Sequence, residues 1–215
     1  MPFTRYLERR WDSLLIEAMQ HAAVVATAVA VATVVGVLVG MLTWRSARGS
    51  GLAISASATL VTIPSLALLG LLIPPLGLGW TPTIVALVLY SLLPIVRNTV
   101  AGLRAVDPAV QEAARAMGLT PAGAMWRVQL PLAWPVILAG VRVSTQLLFA
   151  IATIAAYVAG PGLGNEIFSG LSRLGSANAL NQAIAGTVGV VLLALAFDLA
   201  FTVLRRLTTP RGLRV

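Results

Sequence analysis

Residues 107–131 read DPAVQEAARAMGLTPAGAMWRVQLP and separate two strongly apolar segments of the chain. Asp107-Pro108 is a helix start, with aspartate as the N-cap and proline at the first helical position, and Thr120-Pro121 repeats this signal. Gly118 is placed to end the first helix. The pattern therefore predicts two short capped helices around a glycine turn, and the second of them ends at Leu130-Pro131, where the next apolar segment begins.

The rest of the chain has the composition of a membrane protein. Of 215 residues, 58% are apolar and only 10% are charged, and the mean hydropathy is +0.91. A water-soluble domain of this size needs a more polar surface, so the composition predicts an all-α integral membrane protein that spans the bilayer several times. Cysteine is absent and His21 is the only histidine, which disfavours disulfides and a metal site.

Five apolar segments are long enough to cross a bilayer, approximately 22–42, 52–73, 82–102, 132–158 and 180–204. The breaks between them have physical causes. Residues 45–51 are polar and predicted to be flexible, residues 74–82 contain prolines and glycines that are expected to end a helix, and residues 160–176 are glycine-rich. The GPGLG at 160–164 lacks the spacing and the strand–helix context of a phosphate-binding loop. We expect its proline and glycines to shape an external re-entrant turn instead.

The arginines predict the orientation of the chain. All 15 basic residues are arginines, and the net charge of +8 is better explained by loops that orient the chain than by nucleic-acid binding. With the N-terminus outside, nine arginines are cytoplasmic: Arg45, Arg48, Arg104, Arg115, Arg127, Arg205, Arg206, Arg211 and Arg214. Four are external: Arg5, Arg9, Arg10 and Arg173. The count favours an external N-terminus and a cytoplasmic C-terminus, which makes 107–131 a cytoplasmic loop.

The first helix of this loop offers a surface on which a second protein could pack. Ala113, Ala116 and Met117 share one side at spacings of three and four, and Glu112 faces roughly opposite to Ala114. Small side chains permit close approach, while Glu112 and Arg115 add charges. The other interpretation is a folded loop that only lies on the membrane face.

The spacing in this loop resembles the EAA signature of bacterial ABC importer permeases. Glu112-Ala113-Ala114 is followed by three residues, Gly118, nine residues and then Val128-Gln129-Leu130-Pro131, where the signature has Ile-x-Leu-Pro. Val128 is the one departure. In that family the loop is the coupling helix, which docks in a cleft on the cytoplasmic ATPase. The resemblance assigns that contact to Glu112, Ala113, Ala114, Arg115, Gly118 and Leu119.

The resemblance covers most of the chain and indicates one group of importer permeases within this family. Residues 62–79, 89–99, 130–142 and 160–164 look like the permeases of osmoprotectant importers for glycine betaine, carnitine, choline or proline betaine. It implies the type I importer permease fold in a bacterial cell membrane, with five core spans, an external N-terminus and a cytoplasmic C-terminus. It also implies two ATPase subunits, a second permease that is identical or a sister chain, and an extracytoplasmic binding protein. Val61 departs from the polar residue often found there.

The chain carries no catalytic motif of its own. It has no lysine and therefore no Walker loop, and it has neither HExxH nor a credible Ser/His/Asp set. ATP and Mg²⁺ are expected on the partner ATPase. Aromatic residues are only 6% of the chain, so solute specificity is expected in the binding protein. Alternatives are import of an amino acid such as methionine, an autonomous secondary transporter, for which no internal repeat is evident, and a scaffold without a transport role.

Polar residues inside the spans are the remaining candidates. Pro64 is expected to break the second span, and freed backbone groups with Thr62, Ser65 and Asn98 could line a solute path or merely satisfy the broken backbone. Arg97, Arg142 and Asp198 lie in or near apolar segments. Either the arginines reach the cytoplasmic interface, or Asp198 forms a buried ion pair with one of them.

Overall fold

The computed structural model describes residues 2–208, and every regular element in that range is a helix. The α-helices are α1 (Phe3–Thr43), α2 (Ala47–Thr62), α3 (Ser65–Leu76), α4 (Trp80–Arg104), α5 (Pro108–Ala116), α6 (Pro121–Ala124), α7 (Leu130–Ile154), α8 (Gly164–Ser172) and α9 (Ala179–Thr208). A π-helical turn, Met125–Gln129, joins α6 to α7, and a 3₁₀ turn, Ala155–Val158, follows α7. Arg211 and Arg214 lie outside the described residues.

Four continuous helical segments among the described residues are long and apolar enough to cross a membrane: Phe3–Thr43, Trp80–Arg104, Pro121–Val158 and Ala179–Thr208. Helices α2 and α3 pass the same test only as a pair, and they are bent by 95° at the break between them. By length and composition, residues 2–208 thus offer four candidate spans, or five if the bent pair crosses as one. The break falls at Pro64, as the sequence predicts, because proline disfavours helical conformation in the residue before it.

Helix α4 lies at the centre of the bundle and packs against α1, α2, α3 and α7. Two glycines set how closely its neighbours approach. A Cβ on Gly40 of α1 would lie 2.5 Å from Thr99 Cγ2, and a Cβ on Gly140 of α7 would lie 2.7 Å from the Pro94 carbonyl oxygen. The backbones therefore pack at a distance that excludes any larger residue, as small residues commonly permit between membrane helices.

Residues 45–51 are mostly helical, contrary to the prediction of a flexible loop. Helix α1 ends at Thr43 and α2 begins at Ala47, with Ser46 as an N-cap whose hydroxyl accepts a hydrogen bond from the Gly49 amide at 3.0 Å. Arg104 of α4 fixes this tight turn: its guanidinium donates to the Trp44 carbonyl at 3.0 Å and to the Ser50 hydroxyl at 2.7 Å. These contacts come from residues more than 50 positions away, so local sequence does not reveal them.

The break predicted over residues 74–82 is shorter than expected. Pro74 and Pro75 lie in the last turn of α3, and the chain leaves the helix only at Gly77. The two prolines remove two backbone donors, but the Gly77 amide still donates to the Ile73 carbonyl at 2.8 Å and closes the final turn. Helix α4 then begins at Trp80.

The second helix of the 107–131 segment is not a separate element, which corrects the prediction of two short helices. Helix α6 continues through the π-helical turn into α7, and the Leu130 amide donates to the Met125 carbonyl, five residues back. Pro131, expected at the end of the loop, lies in the first turn of α7. The π turn inserts an extra residue just before a proline that cannot donate, which lets the helix continue without a break.

The predicted external turn contains a helix and a buried charge. Helix α8 packs against α9, and the Glu166 side chain on α8 is only 1% exposed. Its carboxylate accepts a hydrogen bond from the Tyr6 hydroxyl at 2.8 Å and forms an ion pair with Arg10. The first turns of α1 are thereby attached to a helix about 160 positions later in the chain, which extends α1 well before the predicted start at residue 22.

A second ion pair connects α7 to α9. Arg142 Nε and Nη2 donate to the two carboxylate oxygens of Asp198, each at 2.6 Å, and the Gln146 side chain donates to the same carboxylate at 2.8 Å. Of the two partners considered for Asp198, the structure brings Arg142 to it, whereas Arg97 is exposed and has no ion pair within residues 2–208. The pair is not fully buried in the single chain: the side chains are 35% and 26% exposed.

We predict that Arg10→Gln destabilises the subunit more than Glu166→Gln does. The first change leaves a buried carboxylate without its counter-charge, whereas the second removes the buried charge itself. Because the Arg10 side chain is 42% exposed, the cost of the first change should lie below the roughly 3 to 5 kcal/mol of a fully buried pair. Thermal unfolding in detergent measures both effects. Arg9→Gln, an exposed neighbour, is the matched control. Equal stability of the Arg10 and Arg9 variants would contradict the assigned role of the pair.

We predict that Asp198→Asn lowers the free energy of unfolding measurably, because the hydrogen bonds that this carboxylate accepts from Arg142 and Gln146 lose their charge assistance. Arg97→Gln should change stability by less than about 0.5 kcal/mol, as an exposed residue without a partner. The comparison uses the same detergent unfolding assay. A large effect of Arg97→Gln with none of Asp198→Asn would overturn the pairing.

Candidate functional site

The segment 107–131 is held by two side-chain caps, at the positions the sequence indicates. Asp107 Oδ1 accepts a hydrogen bond from the Ala109 amide at 2.8 Å, and Pro108 occupies the first position of α5. Thr120 Oγ1 accepts from the Gly123 amide at 3.1 Å, and Pro121 opens α6. Each cap satisfies one of the amides that a helix start leaves unpaired, so both starts are fixed locally.

The turn between α5 and α6 is a Schellman motif. The Leu119 amide donates to the Ala114 carbonyl at 3.1 Å, and the Gly118 amide donates to the Arg115 carbonyl at 2.9 Å. Gly118 has a φ of +80°, which is strained for any residue with a Cβ. The turn direction, and with it the angle at which α5 leaves α6, therefore depends on this glycine.

Helix α5 presents most of its surface to solvent. Ala114 is the one buried residue of the helix, at 1% exposure, while Glu112, Ala113, Arg115 and Ala116 are exposed. Met117 follows the helix and is 73% exposed, whereas Leu119 is half-buried. We call the exposed side of residues 112–117 the coupling surface, after the role that the family resemblance implies for this loop. It combines small apolar side chains, one flexible thioether and one charge of each sign, which suits close packing by a second protein.

The body of the protein supports this surface from beneath. Val106 and Met125, on either side of α5 in the sequence, are buried in one apolar cluster with Trp44, Leu103 and Ile137. The Gln111 side chain donates to the Val106 carbonyl at 3.2 Å, and the buried Gln129 lies within 3.5 Å of Gln111. Sequence reasoning missed both glutamines. Their role depends on where the side chains lie in the folded protein, and the local sequence gives no indication of that.

Three of the four candidate path residues lie at the bend between α2 and α3. Thr62 and Pro64 are exposed and Ser65 is half-buried. The Thr62 hydroxyl donates to the Thr59 carbonyl at 2.7 Å, and the Tyr90 hydroxyl of α4 donates to the Ile63 carbonyl, which the bend has freed from its helical bond. Hydroxyls therefore satisfy part of the broken backbone, and Tyr90, which the sequence did not single out, holds the bend against α4.

The fourth candidate lies elsewhere. Asn98 is half-buried, and its side-chain amide donates to the Pro94 carbonyl at 2.8 Å. A Cβ on Gly140 would lie 2.7 Å from the Asn98 Cβ, so Asn98 packs in the contact between α4 and α7. This position favours a packing role for Asn98.

No group of three or more potential metal ligands occurs within residues 2–208. His21 is fully buried and stacks nearly parallel on Phe149, with ring centroids 5.6 Å apart. The histidine therefore belongs to the packed interior of the bundle.

The chain is similar to known transport permeases over nearly its whole length. The family model "Binding-protein-dependent transport system inner membrane component" matches residues 16–210. A choline transport system permease of Bacillus subtilis is 39% identical over 98% of this chain and 95% of its own length. A glycine betaine/carnitine/choline permease of the same organism is 37% identical over 97% of this chain and 94% of its length, and a carnitine permease of Listeria monocytogenes is 36% identical over the same shares.

Solved structures share the fold. Two crystal forms of the inward-facing MetNI methionine ABC transporter match with TM-scores of 0.78 and 0.80 at 22% identity, covering 92% and 94% of this chain and 96% and 99% of theirs. At that identity the likeness concerns the fold alone. Family match, relatives and helical fold agree, and the chain belongs to the binding-protein-dependent inner membrane components: it is the membrane-spanning permease subunit of an ABC importer.

Proposed function

We propose that this permease forms the translocation path for a quaternary-ammonium osmolyte of the glycine betaine, carnitine and choline class. The supporting observation for the solute is the 36–39% identity, over nearly full length, to permeases named for these compounds. The methionine transporter shares the fold at only 22% identity. Because solute specificity is expected in the binding protein, the assignment concerns the whole complex.

We infer that ATP is hydrolysed on two cytoplasmic partner subunits, and that the coupling surface on α5 contacts one of them. The support for this contact is the geometry of α5, a capped and exposed helix. The Gly118 turn sets its angle, and its buried side packs against α6 and the π turn. A second permease, identical or related, would complete the pore, and an extracytoplasmic binding protein would deliver solute.

In this proposal transport is a shift between inward-open and outward-open states. ATP binding favours one state by drawing the coupling surfaces together, and the loaded binding protein favours the same state from outside, so the two events are coupled through their different affinities for the two states. Helix α5 is the part on which the ATPase acts, and the bend at Pro64 with exposed Thr62 and half-buried Ser65 is a candidate lining for the path.

We predict that Ala113→Trp, Glu112→Arg and Gly118→Val each lower uptake of radiolabelled choline, glycine betaine and carnitine by the complete importer. Ala113→Trp should block close packing, Glu112→Arg reverses a charge on the same surface, and Gly118→Val strains the φ of +80° by roughly 1 to 2 kcal/mol and redirects α5. A loss of about 1.4 kcal/mol of binding free energy would lower the affinity of the permease for the ATPase tenfold.

The matched control is Ala177→Trp, which places the same bulk on an exposed alanine at the opposite end of the spans. Co-purification of the ATPase is measured alongside uptake. If the α5 variants keep the ATPase and transport normally, the segment is only a structural connector. If the wild-type complex imports methionine but none of the quaternary amines, the solute assignment is wrong while the coupling role stands.

We propose an external N-terminus and a cytoplasmic C-terminus, and predict how single cysteines will react. Arg48 and Arg173 are both exposed and lie at opposite ends of the spans. In this cysteine-free chain, a membrane-impermeant maleimide applied to spheroplasts should label Arg173→Cys and not Arg48→Cys. Labelling after membrane disruption is the control for reactivity. The reverse pattern would invert the topology.

A further inference from the structure

Two aromatic rings meet at an exposed site far from the coupling surface. Tyr157, in the 3₁₀ turn after α7, and Phe168, on α8, have ring centroids 4.2 Å apart and planes inclined by 55°. Tyr157 is 63% exposed. The other ring–ring contacts within residues 2–208 involve the buried Phe149 inside the bundle. This pair is therefore placed for contact with something outside the folded chain.

The rings line an open depression in the protein surface. The cavity has a volume of about 430 Å³, and its lining combines the two rings with polar side chains: Asn165, Ser169 and Ser172. A volume of this size holds a small solute. By contrast, the exposed Trp11 lines a groove between α1 and α9 whose other members are all apolar, as expected of a lipid contact.

A polar cavity of similar volume adjoins the aromatic one. The two share Asn165 and Ser169, and the second is also lined by Arg10, Glu17 and Arg173. The Asn165 amide group donates to the Gly160 and Gly162 carbonyls, at 3.0 and 2.9 Å, which fixes the wall between the two spaces. A ligand with a cationic head and a polar tail could place its head on the rings and its tail toward the polar side.

The position along the chain relates this site to the transport path. Tyr157 lies at the end of the helical segment Pro121–Val158, which begins beside the coupling surface and is about 57 Å long at 1.5 Å per residue. The aromatic pair is thus at the membrane face opposite the ATPase contact. In an importer this is the face at which solute arrives.

We propose that Tyr157 and Phe168 form a cation–π site for the quaternary ammonium group of the solute at the entrance of the permease. This rests on the solute class proposed above. A quaternary ammonium carries its charge without hydrogen-bond donors, so ring faces recognise it better than carbonyls or carboxylates do. With centroids 4.2 Å apart, one cation can lie within the roughly 6 Å reach of both rings.

The test measures tetramethylammonium binding to the permease–ATPase complex in nanodiscs, without binding protein, by saturation-transfer NMR. Tyr157→Leu and Phe168→Leu should each raise the Kd by about two- to thirty-fold, the range a cation–π contact supplies, while Tyr157→Phe keeps it near the wild-type value. Trp11→Leu is the control for loss of an exposed aromatic residue.

Fluorination keeps the test valid if a leucine variant fails to fold. Mono-, di- and trifluorophenylalanine at position 157 preserve ring size while weakening the negative ring face, so the Kd should rise stepwise along the series. Absence of binding to the wild-type complex, an unchanged Kd along the series, or an equal loss in the Trp11 variant would each overturn the proposal. If the complete importer takes up choline or glycine betaine in any of these cases, the solute class survives and only the site is refuted.

Discussion

Helix α4 packs between α1 and α7 at a separation that a larger residue at Gly40 or Gly140 would prevent. The rest of the molecule is arranged around this contact. Helices α2 and α3 pack on α4 from another direction, the Tyr90 hydroxyl on α4 holds the freed carbonyl of the bend, and Arg104 at the end of α4 fixes the turn before α2. Lipid offers no hydrophobic force between helices, so close van der Waals packing and hydrogen bonds of this kind must hold the bundle together.

The absence of a break between α6 and α7 has a mechanical consequence. Helix α5 is attached to α6 by the Schellman turn, and α6 continues through the π turn into the segment that ends at Val158. If a partner displaces α5, as proposed, the displacement acts directly on the start of this long helical segment. The same helix ends next to the aromatic pair of Tyr157 and Phe168. The proposed ATPase contact and the proposed solute entrance lie at its two ends.

Charged side chains connect the parts of the fold that are far apart in sequence. Glu166 binds Arg10 and Tyr6, and Asp198 binds Arg142. The partners of each pair lie 156 and 56 positions apart in the sequence, so tertiary contacts decide which charges meet. The Glu166 pair fixes the start of α1 against α8, near the polar cavity, whereas the Asp198 pair joins α7 to α9 within the spans. Each adds a charge-assisted contact between helices that are distant in the sequence.

The sequence by itself determined the class of the protein, the positions of the caps at Asp107 and Thr120, the glycine turn at Gly118 and the break at Pro64. These features depend on composition or on interactions within a few residues, which is why the local pattern predicts them. The tertiary structure alone decided that α6 joins α7, that residues 45–51 are helical, that Asp198 takes Arg142 and not Arg97, and that Tyr157 meets Phe168. Each of these depends on atoms brought together from distant positions, and a single sequence carries no record of which distant side chains will meet.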